Sequence, residues 1–322
     1  MKSLTIAIAS YQRKDDLVRL VRALNQLAQA SPRSWAGVDV VVVLDGSTDG
    51  SEEALDGLRG ELPVSVIWQE NSGLAAARNA GLRAATGEIV WFLDDDLVPL
   101  PGVIELHRAA HEVNEQVMLL GPCHLAPEIE LFDLARQYWE RQTELRSQSD
   151  RITRFDLISV ANSSLPASLM RSVGGLDEQF VGYGLEDYEF GLRLLRAGTI
   201  VRFEPDAACW HYSVVDQHLS RLRRREEGRN MVRFLRMHPE VAGTYLPSTY
   251  PSRSMRVLDR LGVRSPTALA AISKLAAFAA DPIIRLSGRG QEVRALSYDA
   301  SYAAGVADLD RSLLPRVLGR PA

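Results

Sequence analysis

The segment Asp39-Val40-Val41-Val42-Val43-Leu44 constrains this chain more than any other. An unbroken β-branched run has no polar face to offer water, so a strand built from it must be covered on both sides. That is the situation of a central strand in a parallel sheet. The flanking sequence agrees. Leu4–Ala9 reads as a first strand. Lys14–Gln29 carries Leu17, Leu20, Val21, Leu24 and Leu27 on one helical stripe. Ser51–Leu58 reads as a short helix, Val64–Trp68 as a strand, Gly73–Ala85 as an Ala-rich helix and Glu88–Leu93 as a fourth strand. Strands alternating with helices predict an α/β fold with a doubly wound, mostly parallel sheet.

The pattern loosens after residue 100. Helices are expected near 102–113 and 130–146, and a strand over Phe155–Ala161. A helix over Glu186–Ala197, a strand over Thr199–Phe203 and a basic helix over Asp216–Met237 follow. Pro247, Ser248, Pro251, Ser252 and Ser254 then mark a boundary. The expected organisation is a main domain at 1–240, with halves at about 1–100 and 101–240, and a helical C-terminal appendage at 241–322. The 322 residues carry a formal net charge of −4, which gives no global attraction to nucleic acid. Cys123 and Cys209 fit no metal spacing and read as buried thiols in a reducing compartment. The N-terminal apolar run is too short for a secretory h-region, and Lys274, Asp281 and Pro282 interrupt the apolar stretch Thr267–Ile284. The expectation is a cytoplasmic chain, with peripheral contact at the inner membrane face left open.

Ligands of an open parallel sheet bind beyond the carboxyl ends of its strands. Three such ends are polar here: Ser10-Tyr11-Gln12-Arg13, Asp45-Gly46-Ser47 and Asp94-Asp95-Asp96. Neither a Walker A sequence nor a G-x-G-x-x-G after the first strand is present. Three adjacent carboxylates repel one another and are readily held ionised by an oxygen-seeking divalent ion, Mg2+ or Mn2+. Alternation along an extended segment would send Asp94 and Asp96 to one side and Asp95 to the other. The alternative is a solvated acidic turn. Arg78 lies too deep in its helix to be a cap and can reach an anion near the strand ends. The stretch from Gly174 to Phe190 brackets Glu186 and Asp187 with glycines and aromatics, which suggests a ligand-approaching loop ahead of a helix. His211 becomes interesting as a ligand only once a metal is placed at the aspartates. His107 and His111 read as ordinary helix residues.

In order, the chain holds Asp45-Gly46-Ser47-x-Asp49-Gly50, Asn71-x-Gly73-x4-Arg78-Asn79-x-Gly81, Phe92-Leu93-Asp94-x-Asp96, Gly175-Leu176-Asp177-Glu178 and Glu186-Asp187. This series resembles family-2 nucleotide-sugar glycosyltransferases with the GT-A fold, a Rossmann-like doubly wound sheet. The segment Gly182-Tyr183-Gly184-Leu185-Glu186-Asp187 is similar to the Gly-Trp-Gly-Gly-Glu-Asp segment of β-1,4-galactosyltransferases, with Tyr183 for Trp and Leu185 for the second glycine. The resemblance spans about residues 3–215.

The resemblance implies roles. Ser10, Tyr11 and Arg13 line the nucleotide, Asp45 reads the base edge, and Arg78 lies near the nucleotide and diphosphate. Asp94 faces ribose or donor sugar and Asp96 binds the metal; Asp94 is also counted as a ligand, His211 completes the site, and Asp95 is counted with the nucleotide set. Asp187 is the catalytic base with Glu186 beside it. Tyr183, Gly184 and Asn162 touch acceptor or donor sugar. The implied reaction is metal-dependent, inverting transfer from a nucleoside-diphosphate sugar, UDP foremost, with Mn2+ or Mg2+ as cofactor. The acceptor is a glycan, a lipid-linked molecule or a small molecule. The rival readings are a non-catalytic nucleotide-sugar or glycan-binding relative and a nucleotidyltransferase. The arginines at 221, 223, 224, 225, 229, 233 and 236 read as a solvated face or an anionic-membrane contact, with no nucleic-acid partner expected. The stripe Leu269, Ile272, Leu275, Ala276 and Ala279 is expected to dock on the main domain or on a second copy in a homodimer.

Overall fold

The computed structural model describes residues 1–58, 60, 62–112, 116–129, 133–212, 217–241, 253–260, 263–287 and 290–313. The chain divides into two compact units, Met1–Val181 with Glu186–Val214, and Gly182–Leu185 with Val215–Ala322.

In the first unit β1 (Leu4–Ser10), α1 (Lys14–Ala30), β2 (Val38–Asp45), α2 (Ser51–Asp56), β3 (Val64–Gln69), α3 (Leu74–Ala84) and β4 (Ile89–Leu93) follow in turn. Next come β5 (Leu97–Pro99), α4 (Val103–Ala109), β6 (Val117–Leu120), β7 (Cys123–Leu125), α5 (Asp133–Arg146), β8 (Asn162–Pro166) and α6 (Ala167–Ser172). The unit ends with α7 (Glu186–Arg196), β9 (Ile200–Phe203) and β10 (Cys209–His211). The main sheet has the order β3-β2-β1-β4-β8-β6-β9. β1 pairs in parallel with β2 and β4, β2 with β3, and β6 with β9; β8 runs antiparallel between β4 and β6. A smaller sheet orders β5-β10-β7.

The valine run behaves as its composition requires. Its even-numbered residues Val40, Val42 and Leu44 pack with Leu17, Leu20 and Leu24 of α1. Its odd-numbered Val41 and Val43 pack with Ala77 and Ala80 of α3 on the opposite face. Period-two alternation thus splits one apolar run between two helical layers.

One element differs from expectation. Phe155–Ala161 is not a strand: Phe155–Leu157 is a 3-10 turn, closed by Leu157 N–H donating to the Arg154 carbonyl. Ile158 and Val160 bury singly, at 1% and 0% exposure, without a ladder. The strand is the next segment, Asn162-Ser163-Ser164-Leu165-Pro166, whose polar start conceals it from a hydrophobicity pattern. Asn162, Ser163 and Ser164 are nonetheless buried.

The second unit holds α8 (Gln217–Met237), α9 (Arg253–Arg260), α10 (Pro266–Ser287) and α11 (Gly290–Leu309). The basic helix α8 groups with these later helices, and the composition shift near 241 follows it. Of the residues that carry that shift, Pro247, Ser248, Pro251 and Ser252 lie outside the described residues and Ser254 lies in the first turn of α9. The apolar stripe of α10 divides: Leu269 and Ala276 are buried, while Leu275 is exposed. No described helix is long and apolar enough to cross a membrane.

Candidate active site

The parallel ladder puts the carboxyl ends of β1, β2 and β4 on one edge, and three polar loops leave from it. The loops after β1 and β2 are laced together. Gln12 N–H donates to Ser47 Oγ at 3.1 Å, and Thr48 N–H donates to Gln12 Oε1 at 3.2 Å. Asp49 serves two helix starts, accepting from Lys14 N–H of α1 at 2.8 Å and from Ser51 N–H of α2 at 3.2 Å. Tyr11 stands exposed at this edge.

Asp45 is buried and accepts from Ser72 N–H at 2.8 Å, Gly73 N–H at 2.9 Å and Gln69 Nε2 at 2.8 Å. Three of the roughly four acceptor positions of its carboxylate are therefore filled from within the chain. It ties the end of β2 to the start of α3. Gly46 is required beside it: its φ is +79° and a Cβ there would lie 2.8 Å from Asn71 Cβ.

The aspartates Asp94 to Asp96 form a turn rather than an extended segment, because Leu97 N–H donates to the Asp94 carbonyl at 3.1 Å. The expected alternation therefore fails. Asp95 and Asp96 lie together at Arg13, Nη1 being 3.5 Å and 2.9 Å from their carboxylates, and Asp94 turns away to Arg78. Ser10 Oγ donates to Asp95 at 2.7 Å. Burial pushes the Asp95 carboxyl up to about 8, against the opposing charge of Arg13. Burial acts the same way on Asp96, but the hydrogen bond and charge of His211, with Arg13, reverse it and hold Asp96 well below the usual range.

Arg78 is the hub of a second cluster. Its side chain is 4% exposed. Nη2 donates to Asp94 Oδ1 at 2.8 Å, and Nη1 lies 3.1 Å from Asp187 Oδ1 and 3.4 Å from Glu186 Oε1. The other Asp187 oxygen accepts from Val160 N–H at 3.1 Å. Burial, with the neighbouring Asp187 charge, pushes Glu186 up to about 7 against the pull of Arg78. Burial likewise raises Asp187, opposed by Arg78 and by the Val160 amide. Two acids of raised basicity are thus held beside one fixed cation.

The residue after Arg78 explains a motif that sequence reasoning left without a purpose. Asn79 Nδ2 donates to the Leu176 carbonyl at 2.8 Å, and Leu176 N–H donates to Asn79 Oδ1 at 2.9 Å. The Arg-Asn pair thus braces the Gly-Gly-Leu-Asp turn while Arg78 holds the acids.

Among the described residues a metal would find Asp96 and His211. His211 Nε2 lies 3.3 Å from Asp96 Oδ2. Among the described residues no group of three or more His, Cys, Asp and Glu side chains is arranged to hold a metal ion. Asp94, expected in that set, accepts from Arg78 Nη2 at 2.8 Å. One ionised carboxylate and one imidazole suit Mg2+ or Mn2+ where phosphate oxygens complete the coordination, since such ions use few protein ligands.

Asn162, expected at the sugar, faces the interior of the fold. It is 2% exposed, and its amide is consumed inside the fold. Oδ1 accepts from Trp91 Nε1 at 3.0 Å and from His107 Nε2 at 3.2 Å, while Nδ2 donates to the carbonyls of Pro122 and Ala207. His107 Nδ1 and His111 Nε2 both lie 2.8 Å from Ser164 Oγ. A consistent relay runs from His111 Nε2–H to Ser164 Oγ, from Ser164 O–H to His107 Nδ1, and from His107 Nε2–H to Asn162. The two histidines read as ordinary helix residues are the centre of a buried polar network. A His at i and i+4 facing a polar strand was the available signal.

Tyr183 and Gly184 belong to the second unit, with Tyr183 43% exposed beneath the Arg223 guanidinium at 4.8 Å.

Comparison with known proteins places this geometry. The chain is 29% identical over 268 residues to the validoxylamine A glucosyltransferase of Streptomyces hygroscopicus subsp. jinggangensis, covering 74% of this chain and 61% of that one. It spans about three fifths of the length of the curated relatives it matches first. Its fold superposes on a mannosyltransferase from Pyrobaculum calidifontis, solved with GDP-Man and Mn2+, with a TM-score of 0.64 and 20% identity, over 96% of this chain and 87% of that one. It also superposes on S. aureus TarS 1-349 in complex with UDP, with a TM-score of 0.53 and 17% identity, over 94% and 90% of the two chains. The GT-A architecture expected from the motifs is the one observed. A model of glycosyl transferase family 2 matches residues 5–171, more than half of the sequence, and the chain belongs to that family.

Proposed function

We propose that this chain transfers a sugar from a nucleoside-diphosphate sugar, UDP-linked, to an acceptor hydroxyl in one displacement that inverts the anomeric centre, with Mg2+ or Mn2+. The observation that carries the reading is the Arg78 cluster, which sets Asp187 and Glu186 beside Asp94 at the carboxyl edge of the sheet. Donor binding falls to the β1 and β2 loops: Tyr11 offers an exposed ring to the base, Arg13 a cation, and Asp45 its remaining acceptor position. Asp96 and His211 would hold the divalent ion. The chemistry supplied there is neutralisation of the charge developing on the leaving diphosphate.

Asp187 takes the proton of the acceptor hydroxyl as its oxygen bonds to the anomeric carbon. The bond from that carbon to the diphosphate oxygen breaks, and the nucleotide leaves with the electron pair. Burial makes Asp187 a stronger proton acceptor than a solvated aspartate, which suits a general base. Arg78 then stabilises Asp187 while it is charged and orients it.

The test needs no known acceptor. A thermal-shift panel of UDP-, GDP- and dTDP-sugars, with Mn2+, Mg2+ or EDTA, identifies the donor. UDP-glucose and GDP-mannose belong in it because a glucosyltransferase and a GDP-Man-bound mannosyltransferase are among the similar proteins. Slow donor hydrolysis is then followed by proton NMR before the sugar mutarotates. With an α-linked UDP-hexose the first sugar released is β. Release of the α sugar would sink the inverting mechanism. Asp187→Asn is expected to lower turnover by about a thousandfold while donor binding stays within twofold. Turnover near that of the native chain would remove the base assignment.

A further inference from the structure

Gly182, Tyr183 and Gly184, ahead of the acidic pair, contact α8, and Leu185 after them is strained. Gly182, Gly184 and Leu185 have φ of +82°, +87° and +75°. Leucine in the left-handed region costs about 1–2 kcal/mol, so other contacts must hold it there. The position is the one where the resembling galactosyltransferase segment has glycine. Leu185 is 4% exposed, so its side chain is anchored by burial.

The polar half of the grip comes from Asn230. This residue is 5% exposed, and its Nδ2 donates to the Gly184 carbonyl at 3.0 Å and to the Tyr183 carbonyl at 3.3 Å. One turn earlier on α8, Glu226 stands against Gly182, where a Cβ would meet its carboxylate at 3.0 Å. Arg223, a further turn back, covers the Tyr183 ring at 4.8 Å. Arg223, Glu226 and Asn230 recur at helical spacing, so one face of α8 carries Gly182, Tyr183 and Gly184.

That helix is itself fixed. A Cβ on Gly228 would lie 2.1 Å from the Tyr302 carbonyl of α11, and one on Gly305 would lie 1.9 Å from the Arg225 carbonyl. The two backbones meet closer than any side chain permits. Arg225 and Arg229 both bind Asp308, at 2.9 Å and 2.8 Å.

We propose that Asn230 is a positioning residue of the transfer reaction: by holding the carbonyls of Tyr183 and Gly184 it fixes the strained turn whose next peptide bond leads to Glu186 and Asp187. The C-terminal helices are then the support of the loop that enters the catalytic helix. The arginines of α8 divide accordingly: Arg225 and Arg229 lock α8 to α11, and Arg223 covers the loop. This rests on the reading of Asp187 as base, and the test separates the two.

Asn230→Ala is compared with the native full-length chain by amide hydrogen exchange and by UDP release from UDP-glucose with Mn2+. Two lost hydrogen bonds predict about tenfold faster exchange over residues 182–187, with α8 and β1 to β4 changed less than twofold. kcat for UDP release falls by a similar factor and KM for UDP-glucose stays within twofold. Arg223→Ala, which removes the guanidinium over the Tyr183 ring, gives a smaller rise in exchange at the same residues and covers the case in which Asn230→Ala fails to fold. Unchanged exchange over 182–187 overturns the proposal. So does faster exchange spread evenly over α8 and α11, which would make Asn230 a packing residue alone. A native chain that releases no UDP while Asn230→Ala still loosens 182–187 counts against the transferase reading and leaves the loop assignment standing.

Discussion

Replacing Arg78 with methionine asks what a buried cation is worth among three carboxylates. The guanidinium is 4% exposed and lies within 3.4 Å of Asp94, Asp187 and Glu186. Methionine keeps the stem and removes the charge and every donor. Breaking a buried ion pair by removing one partner costs about 3–5 kcal/mol, because the other charge stays buried and unpaired. The cost must depend on pH. Glu186 already sits near 7 in the native fold, above its ordinary value, so in the native chain it weakens stability progressively from about pH 4.5 to 7 and no further. Without Arg78, which pulls that value down, both Glu186 and Asp187 rise further. The variant therefore keeps losing stability above pH 7, by about 1.4 kcal/mol per pH unit for each group still titrating. At acid pH, where these acids are protonated in both folded chains, that part of the difference vanishes. Urea unfolding of native and Arg78→Met chains at pH 5, 7 and 8.5 measures it, read from the transition of the N-terminal unit. The expected deficit is smallest at pH 5 and reaches about 3–5 kcal/mol at pH 8.5. A deficit under about 1 kcal/mol, or one that does not change with pH, would refute the reasoning, because the carboxylates would then have another source of compensation.

Gly305→Ala pushes a methyl group into the Arg225 carbonyl and forces α8 and α11 apart, so the C-terminal unit should lose about 1–3 kcal/mol; an unchanged melting temperature would refute this. Burial holds His107 near 3, helped by His111, and holds His111 near 4, helped by Lys2, so both are neutral in the fold and take up protons on unfolding below pH 6.5. Stability is then fully present above pH 6.5 and falls by about 2 kcal/mol per histidine on going to pH 5. His111→Gln should remove about half of that slope in urea unfolding, and an undiminished slope would place the acid sensitivity elsewhere.

Much of the architecture of the first unit was legible because it is local. The valine run of β2 could only be a doubly covered strand, and the turn residues of Asp45–Gly50 marked where it had to stop. The parallel order of the strands then made the three polar loops converge. The misreadings share one cause, which is that periodicity reports burial and not pairing. Ile158 and Val160 are buried without being in a strand, and Asn162 to Ser164 are in a strand without being apolar. What makes that strand tolerable is His107, His111 and Trp91, residues more than fifty positions away that satisfy its polar groups.

The sequence by itself determined the α/β class, the strand ends and the identities of the acids, because these follow from hydrophobic period, turn chemistry and residue type. Only the tertiary structure decided how those acids are shared out. A turn at Asp94–Asp96 gives Asp94 to Arg78 and gives Asp95 and Asp96 to Arg13, which no spacing rule for extended chains would have assigned. It also decided that α8 carries the loop at Tyr183 and Gly184, since Asn230 reaches those carbonyls across 46 and 47 residues of chain. Charge pairing and buried hydrogen bonds depend on distances of a few ångströms between remote segments, and sequence order does not encode those distances.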